Sequence, residues 1–193
     1  METDNLNFDD ALKIVRLDCL TLVVHWKTFL DLFIKSDKFY RVAEIPAEIL
    51  KFAMARTAIL RFSALALDGA GSGKKTNCNL AWLLSEIDLP EASKKLETLQ
   101  DKNNKVAKKF KGIRDKSVSH TDFRTRLQDA SDVFCEKEFE QLMREAVQIV
   151  NLICVEKNES TIDLDCLMQW SKCEDLIFYG GSPSDLLEAI KLR

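Results

Sequence analysis

The sequence predicts an all-α protein, built as a four-helix bundle with a C-terminal helical extension. Four segments place apolar residues three and four positions apart, which is the spacing of a stripe along one side of a helix. No segment alternates apolar and polar residues over the length of a typical strand. The 193 residues include only six glycines and three prolines, and their 46% hydrophobic content suits one domain with a sizeable core.

The first predicted helix begins after Asn7, a residue type that caps helices, and Asp9 and Asp10 suit the positive end of its dipole. Its stripe is Leu12, Val15, Cys19, Leu22, Trp26, Phe29 and Phe33. Pro46 opens a second helix that runs to about Asp68. Apolar residues lie on two of its sides, which is expected of a helix in the centre of a bundle. They are Ile49, Phe52 and Ile59 on one side and Leu50, Leu60 and Leu67 on the other.

A short helical pattern over residues 80–87 lies between the second and the third long helix. Asp88 and Glu91 frame the start of the third helix in a capping-box arrangement, with Pro90 between them. Ser131 and Asp132 open the fourth helix. The third helix has the stripe Leu96, Leu99, Val106, Phe110 and Ile113, which Asn103 interrupts. The stripe of the fourth helix is Cys135, Phe139, Leu142, Ala146, Ile149 and Ile153.

The chain after Lys157 shows two shorter helical patterns. One covers residues 163–178, and the other starts at Ser182, an N-cap residue followed by Pro183 at the first helical position. We therefore expect two units, a helical bundle over residues 1–157 and an extension over residues 158–193 that packs on it.

Composition narrows the class of protein. Six cysteines show no CxxC pair and no signal peptide precedes them, so we expect reduced thiols in a cytoplasmic protein. Cys166 and Cys173 are seven residues apart, and burial on one helix face is their expected role. Two histidines and scattered cysteines argue against a structural zinc site, and we expect no metal or other cofactor. The longest apolar run, residues 20–24, is too short to span a bilayer, so no membrane partner is expected.

Two features have ordinary structural interpretations. The stretch from Gly69 to Thr76 resembles a phosphate-binding loop, but Asp68 stands where the first glycine should be and a helix precedes it. A flexible loop between helices is the better interpretation. His25 flanks the apolar stripe of the first helix, where a packed, structural histidine is the expected role.

Positive charge is concentrated in one segment. Between Lys94 and Arg126 there are eleven lysines and arginines against four acids, a net charge of +7 that leaves −10 for the rest of the chain. Such a segment suits a phosphate-bearing partner. A solvated helix face whose lysines maintain solubility explains the lysines equally well.

Arg114 and His120 lie within this basic segment, at the end of the third stripe. Six residues on a regular helix separate two side chains by about 120°, so the helix must end or bend between them if both are to reach one phosphate. A second subunit could also contribute one of the two. The structural alternative is a helix C-terminus at which Arg114 and Lys116 satisfy carbonyl groups and the dipole.

The arginine, the five intervening residues and the histidine resemble the Arg-x(4 to 6)-His signature of the HEPN superfamily, all-α domains found in RNA-cutting toxins and phage-defence proteins. The sequence around Arg114, Asp115 and Lys116 is most similar to that of the HEPN branch associated with abortive-infection type U proteins. The resemblance covers about residues 8–157. In some HEPN toxins a tyrosine lies two residues after the histidine and is modified by a partner nucleotidyltransferase. Here that position is Asp122, so control by this route is not expected.

The resemblance implies a metal-independent endoribonuclease that acts on RNA as a toxin or phage-defence effector, with Arg114, His120 and Asp115 as catalytic residues. It also implies a homodimer with a composite site and allows a cognate antitoxin protein as a partner. The predicted RNA-binding residues are Lys105, Lys108, Lys109, Lys111, Lys116, Arg124 and Arg126. The alternative is a non-catalytic helical module that binds a partner protein or nucleic acid through its basic segment.

Overall fold

A computed structural model of the chain describes residues 7–35, 41, 44–72, 75–101, 104, 105, 107, 108 and 135–169. The described helical elements are α1 (Phe8–Phe33), α2 (Glu44–Phe62), a π-helical turn (Ser63–Leu67), α3 (Leu80–Ser85), α4 (Pro90–Gln100), α5 (Glu136–Glu156) and α6 (Leu164–Gln169). Two strands of two residues each, β1 (Gly71–Ser72) and β2 (Lys75–Thr76), pair antiparallel. The predicted all-α class is confirmed, and α1, α2, α4 and α5 are the long helices of the bundle.

Four of the described helices, α2, α3, α5 and α6, pack on α1, whereas α4 packs on α3, α5 and the π-helical turn. The predicted stripe of α1 is buried throughout, and the Asn7 side chain accepts a hydrogen bond from the Asp9 amide at 3.2 Å, as expected of an N-cap. Aromatic rings tie three helices together. The ring centroid of Phe139 on α5 lies 4.7 Å from the ring centroid of Trp26 on α1. The same ring meets Phe62 on α2 edge-on, with the two centroids 5.6 Å apart.

An ion pair is buried beside this stripe. Lys27 and Asp31 are 5% and 6% exposed, and the Lys27 ammonium donates to one carboxylate oxygen of Asp31. The half-exposed Lys35 donates to the other oxygen at 3.2 Å. Among the residues that the structure describes, Asp31 therefore has two cationic partners and Lys27 has one anionic partner.

The position predicted for α2 in the centre of the bundle is wrong. The helix packs on α1 and on the π-helical turn, and its buried residues are Ala47, Ala58, Ile59 and Phe62. Ile45, Ile49 and Leu50 are 74%, 52% and 39% exposed. Because the side of the helix that faces the core carries alanines at two positions, most of the large apolar residues in its first turns lie outside. We refer to Ile45, Ile49 and Leu50 as the outer face of α2.

The stretch predicted as a flexible loop is a short hairpin anchored by asparagines. Gly71 has a φ of 92°, a backbone conformation that favours glycine, and it pairs with Thr76 across the two strands. The buried Asn79 side chain donates to the carbonyl groups of Asp68 and Gly69, both at 3.0 Å, and accepts from the Trp82 amide. A helix precedes the hairpin, as expected, whereas Gly73 and Lys74 lie outside the described residues.

The third predicted helix is interrupted. α4 begins with Pro90 at its first position, but its N-cap is Leu89 and no side chain caps it, so the predicted capping box of Asp88 and Glu91 is wrong. The helix ends at Gln100, and Asp101 has a ψ of 132°, which is outside the helical range. A second helical stretch includes Lys105, Ala107 and Lys108. The apolar stripe continues across this break, which is why the spacing alone predicts one helix.

α5 begins later than predicted and ends in a well-defined cap. Cys135 is extended and Glu136 is the first helical residue, whereas Ser131 and Asp132 lie outside the described residues. At the other end Asn158 has a φ of 55°, its amide donates to Val155, and the Glu159 amide donates to Cys154, which together form a Schellman motif.

The chain after α5 folds back onto the bundle as far as α6. The Asn151 side chain accepts from the Ile162 amide at 2.7 Å and donates to the Ile162 carbonyl at 2.9 Å. Arg144 links α5 to Asp165 at 2.8 Å, and α6 contacts α1. The division into units 1–157 and 158–193 stays a prediction, because residues 170–193, with the helix expected from Ser182, lie outside the described part of the chain.

Candidate functional site

Two of the predicted site residues, Lys105 and Lys108, are among the described residues. The three predicted catalytic residues and the remaining basic ones lie outside the described ranges. They are Arg114, Asp115 and His120, and Lys109, Lys111, Lys116, Arg124 and Arg126. The described geometry therefore defines how the bundle holds the two ends of the segment that carries them.

The first end is the helical stretch that follows the break at Asp101. Ala107 is 4% exposed and belongs to the core, whereas Lys105 and Lys108 are exposed. Residues three apart on a helix share a face, so the two lysines point into solvent on one side while the alanine packs on the other. Lys94 and Lys95 on α4 are exposed as well. They belong to the basic segment but not to the predicted binding residues, and the exposed Glu91 and Glu97 on the same helix balance their charge.

Asn104 begins this stretch, and sequence reasoning missed it. Its side-chain oxygen accepts from the Ala107 amide at 3.1 Å and its backbone carbonyl accepts from the Lys108 amide at 3.0 Å. Its own amide donates to the Asp101 carbonyl at 2.9 Å, which closes a turn. The signal was present, because aspartate and asparagine at positions 101, 103 and 104 are residue types that start turns and cap helices.

The second end is the start of α5. Glu136 and Glu138 place acidic side chains in its first turn, where they suit the helix dipole. One turn further, Phe139 is fully buried against Trp26 and Phe62. The segment between Lys108 and Cys135 is therefore flanked by two core residues, Ala107 before it and Phe139 after it.

The break in the third helix does not settle the angle between the two motif residues. It lies at Asp101, before both Arg114 and His120, so it leaves their separation of about 120° on a regular helix unchanged. A bend between them stays a prediction.

His25 has the structural role expected of it. Its Nε2 atom lies 2.9 Å from the Met54 carbonyl oxygen on α2. Since a carbonyl oxygen only accepts, this nitrogen donates, and the half-buried ring joins α1 to α2. Of the two histidines, His120 is therefore the candidate for proton transfer.

Cys19, Cys78 and Cys154 form no disulfide bond and are poor nucleophiles. Burial, followed by Cys154 and Asp18, raises the pKa of Cys19 to about 12. Burial also raises the pKa values of Cys78 and Cys154. Because the thiolate is the reactive form, these three side chains suit packing rather than covalent chemistry. Cys166 is exposed, so the burial predicted for it is wrong, and Cys173 lies outside the described residues.

The described residues contain no group of three or more histidine, cysteine, aspartate or glutamate side chains placed to hold a metal ion. None of the described helices combines the length and the apolar character that crossing a membrane requires.

Comparison with known proteins assigns the family. A model of the HEPN family described as AbiU2 matches residues 47–169, more than half of the chain, and this range includes Arg114 and His120. The match starts in α2 rather than near residue 8, and it extends beyond Lys157 to the end of α6. No curated protein and no solved structure matches the chain at a significant level. The helical bundle and the family match together show that this chain belongs to the AbiU2 family of HEPN domains.

Proposed function

We propose that this chain is a metal-independent endoribonuclease that acts on RNA as a toxin or phage-defence effector. The observation that carries the proposal is the family match, which includes Arg114, Asp115 and His120 at the spacing of the HEPN signature. The exposed Lys105 and Lys108, which lead into this segment, support an anionic substrate.

The chemistry suits these residue types. The 2′-hydroxyl oxygen of RNA attacks the adjacent phosphorus, a new oxygen–phosphorus bond forms, and the bond to the 5′ oxygen breaks. His120 serves the proton steps, because a histidine with a free pKa of about 6.5 exchanges protons near neutral pH. Arg114 grips two phosphate oxygens in fork geometry, and Asp115 orients the guanidinium or the imidazole. The products are a 2′,3′-cyclic phosphate and a 5′-hydroxyl.

Incubation of the purified protein with total RNA tests the proposal. We expect the wild-type protein to cleave RNA, and we expect Arg114→Ala and His120→Ala to lose cleavage and any growth toxicity while keeping the helical circular dichroism. His25→Gln is the matched control, since it removes the other histidine, which bonds the Met54 carbonyl. Wild-type cleavage by His120→Ala would show that the catalytic assignment is wrong.

The second candidate is a non-catalytic interaction module. The outer face of α2 favours it, because exposed isoleucine and leucine side chains are typical of surfaces that bind other proteins. RNA binding does not separate the two candidates, since both hold phosphate through lysines. RNA cleavage separates them, because a non-catalytic interaction module binds RNA or a partner protein and leaves the RNA intact.

A further inference from the structure

The outer face of α2 continues as an apolar ridge along most of the helix. Side chains four residues apart lie about 40° apart around a helix, so they form a ridge that runs along it. One such ridge begins with the exposed Ile45 and Ile49. It continues through the exposed Ala53 and the half-buried Thr57 to the exposed Arg61, and we call these five residues the isoleucine ridge. Contiguous exposed apolar side chains are typical of surfaces that bind another protein.

A neighbouring ridge carries opposite charges on either side of an aromatic ring. It consists of the exposed Glu48 and the half-buried Phe52 and Arg56, and we call it the charged ridge. Each of its residues lies three positions after one of the isoleucine ridge, which makes the two ridges adjacent. Phe52 is the midpoint of the charged ridge. The midpoint of the isoleucine ridge is the next residue, Ala53, whose small side chain lets a second helix approach closely.

The shared midpoint makes α2 complementary to a second copy of itself in one orientation. If two copies lie antiparallel with Phe52 and Ala53 at the two-fold axis, residues at equal distances before and after the axis face each other. Glu48 of each copy then lies opposite Arg56 of the other copy, and the isoleucines of each copy are covered by the second half of the other helix. A parallel arrangement would instead set each charge beside its own equivalent, and like charges repel.

We propose that α2 is an interface between two copies of this chain, which pair antiparallel through the isoleucine ridge and the charged ridge. The pairing covers the exposed apolar side chains and joins opposite charges. It also sets opposite ends of the two helix dipoles side by side. It gives the expected homodimer a contact surface, and both candidate functions are compatible with it. The inference goes beyond the proposed function, because every residue that carries it lies on α2, outside the basic segment.

Ile49→Lys tests the apolar contact. Lysine suits an exposed helical position, so helix content and Tm should stay near the wild-type values. We expect the Kd of the dimer, measured by light scattering over micromolar concentrations, to rise by about a hundredfold or more, because a two-fold interface contains the change twice. Val155→Lys is the matched control, since Val155 is similarly exposed on α5, and its Kd should stay within about twofold of wild type.

Charge exchange tests the orientation of the two helices. Glu48→Arg and Arg56→Glu should each raise the Kd by about tenfold, because each places like charges opposite each other at both ends of the contact. In an equimolar mixture the two variants should pair as tightly as the wild-type chain, since a dimer of one with the other restores both opposite pairs. Circular dichroism checks the fold of each variant, and Glu48→Arg alone decides if Arg56→Glu unfolds.

A wild-type chain that stays monomeric at every concentration would overturn the inference. So would a dimer whose Kd is unchanged in Ile49→Lys, because it would form through another surface, and so would charge variants that mixing fails to rescue. RNA cleavage is measured separately. If the wild-type chain dimerises through α2 and leaves RNA intact, the proposed function is wrong and this inference stands.

Discussion

The thiol of Cys19 shows how burial changes the chemistry of a single residue. It belongs to the stripe of α1 that faces the core, where a charged thiolate would lose its hydration. Its pKa of about 12 compares with a value of 9.0 for an ordinary thiol on the same scale. The thiol therefore stays protonated, and inert, under conditions in which an exposed cysteine would ionise.

This shift predicts a loss of stability at alkaline pH. The pKa is raised in the folded state, so the unfolded chain loses the proton first and the stabilisation is present in full only below about pH 9. As pH rises from 9 towards 12, the free energy of unfolding should fall, with Cys19 contributing a few kcal/mol by order of magnitude. Urea unfolding between pH 8 and about 11 measures the slope.

Cys19→Ala should flatten that slope, although the variant is less stable overall because it leaves a small cavity. Cys166→Ala is the matched control, because its thiol is exposed. Equal slopes for wild type and Cys19→Ala would contradict the prediction.

In the proposed mechanism Arg114 supplies the positive charge beside the phosphate and His120 transfers the protons, so we predict that cleavage resists chelation. We expect the same rate in EDTA and in Mg²⁺, with a 2′,3′-cyclic phosphate on the upstream product and a 5′-hydroxyl on the downstream product. Strict dependence on an added divalent ion would point to a different mechanism.

At the scale of elements, apolar spacing predicted the helices that exist but not where they stop. The stripe of α1 is buried as expected because each position faces the same core. The break at Asp101 was not predicted, because Leu99 and Ala107 are both buried and the pattern shows only the apolar side. The motif residues could be named from spacing and family resemblance. Asn104 was missed although the aspartate and asparagine residues at positions 101, 103 and 104 signal a turn, because apolar periodicity takes no account of polar residues.

The contact between Asn151 and Ile162 predicts how firmly the chain after α5 is held. Asn151→Ala removes both hydrogen bonds and leaves the two backbone groups of a largely buried residue without partners. We expect a loss of about 1–3 kcal/mol in the free energy of unfolding. Gln148→Ala, an exposed position on the same helix, should change the value by less than about 0.5 kcal/mol. Chemical denaturation compares the two variants, and equal stabilities would show that the contact contributes little.

At the scale of the whole molecule, the uneven distribution of charge along the chain affects how two copies can form a dimer. The segment from Lys94 to Arg126 carries +7 in a chain of net charge −3, so two such segments facing each other repel unless an anion lies between them. We predict a homodimer that brings both copies of residues 105–120 into one cleft, where RNA supplies the opposite charge. Light scattering at micromolar concentration measures the stoichiometry.

A mixture of Arg114→Ala and His120→Ala proteins tests whether the two chains share a site. If each active site takes residues from both copies, the mixed dimer should regain part of the cleavage that neither variant shows alone. A monomer that still cleaves RNA would rule out a composite site.

The buried ion pair of α1 constrains the order in which this sequence can change. Asp31→Leu leaves the Lys27 ammonium buried without its counter-ion, a change that typically costs about 3–5 kcal/mol. Lys27→Met is milder, because Asp31 keeps Lys35. With both replaced by apolar residues the cost largely disappears. An evolving lineage can therefore lose the lysine first and the aspartate second, whereas the reverse order passes through a poorly folded intermediate.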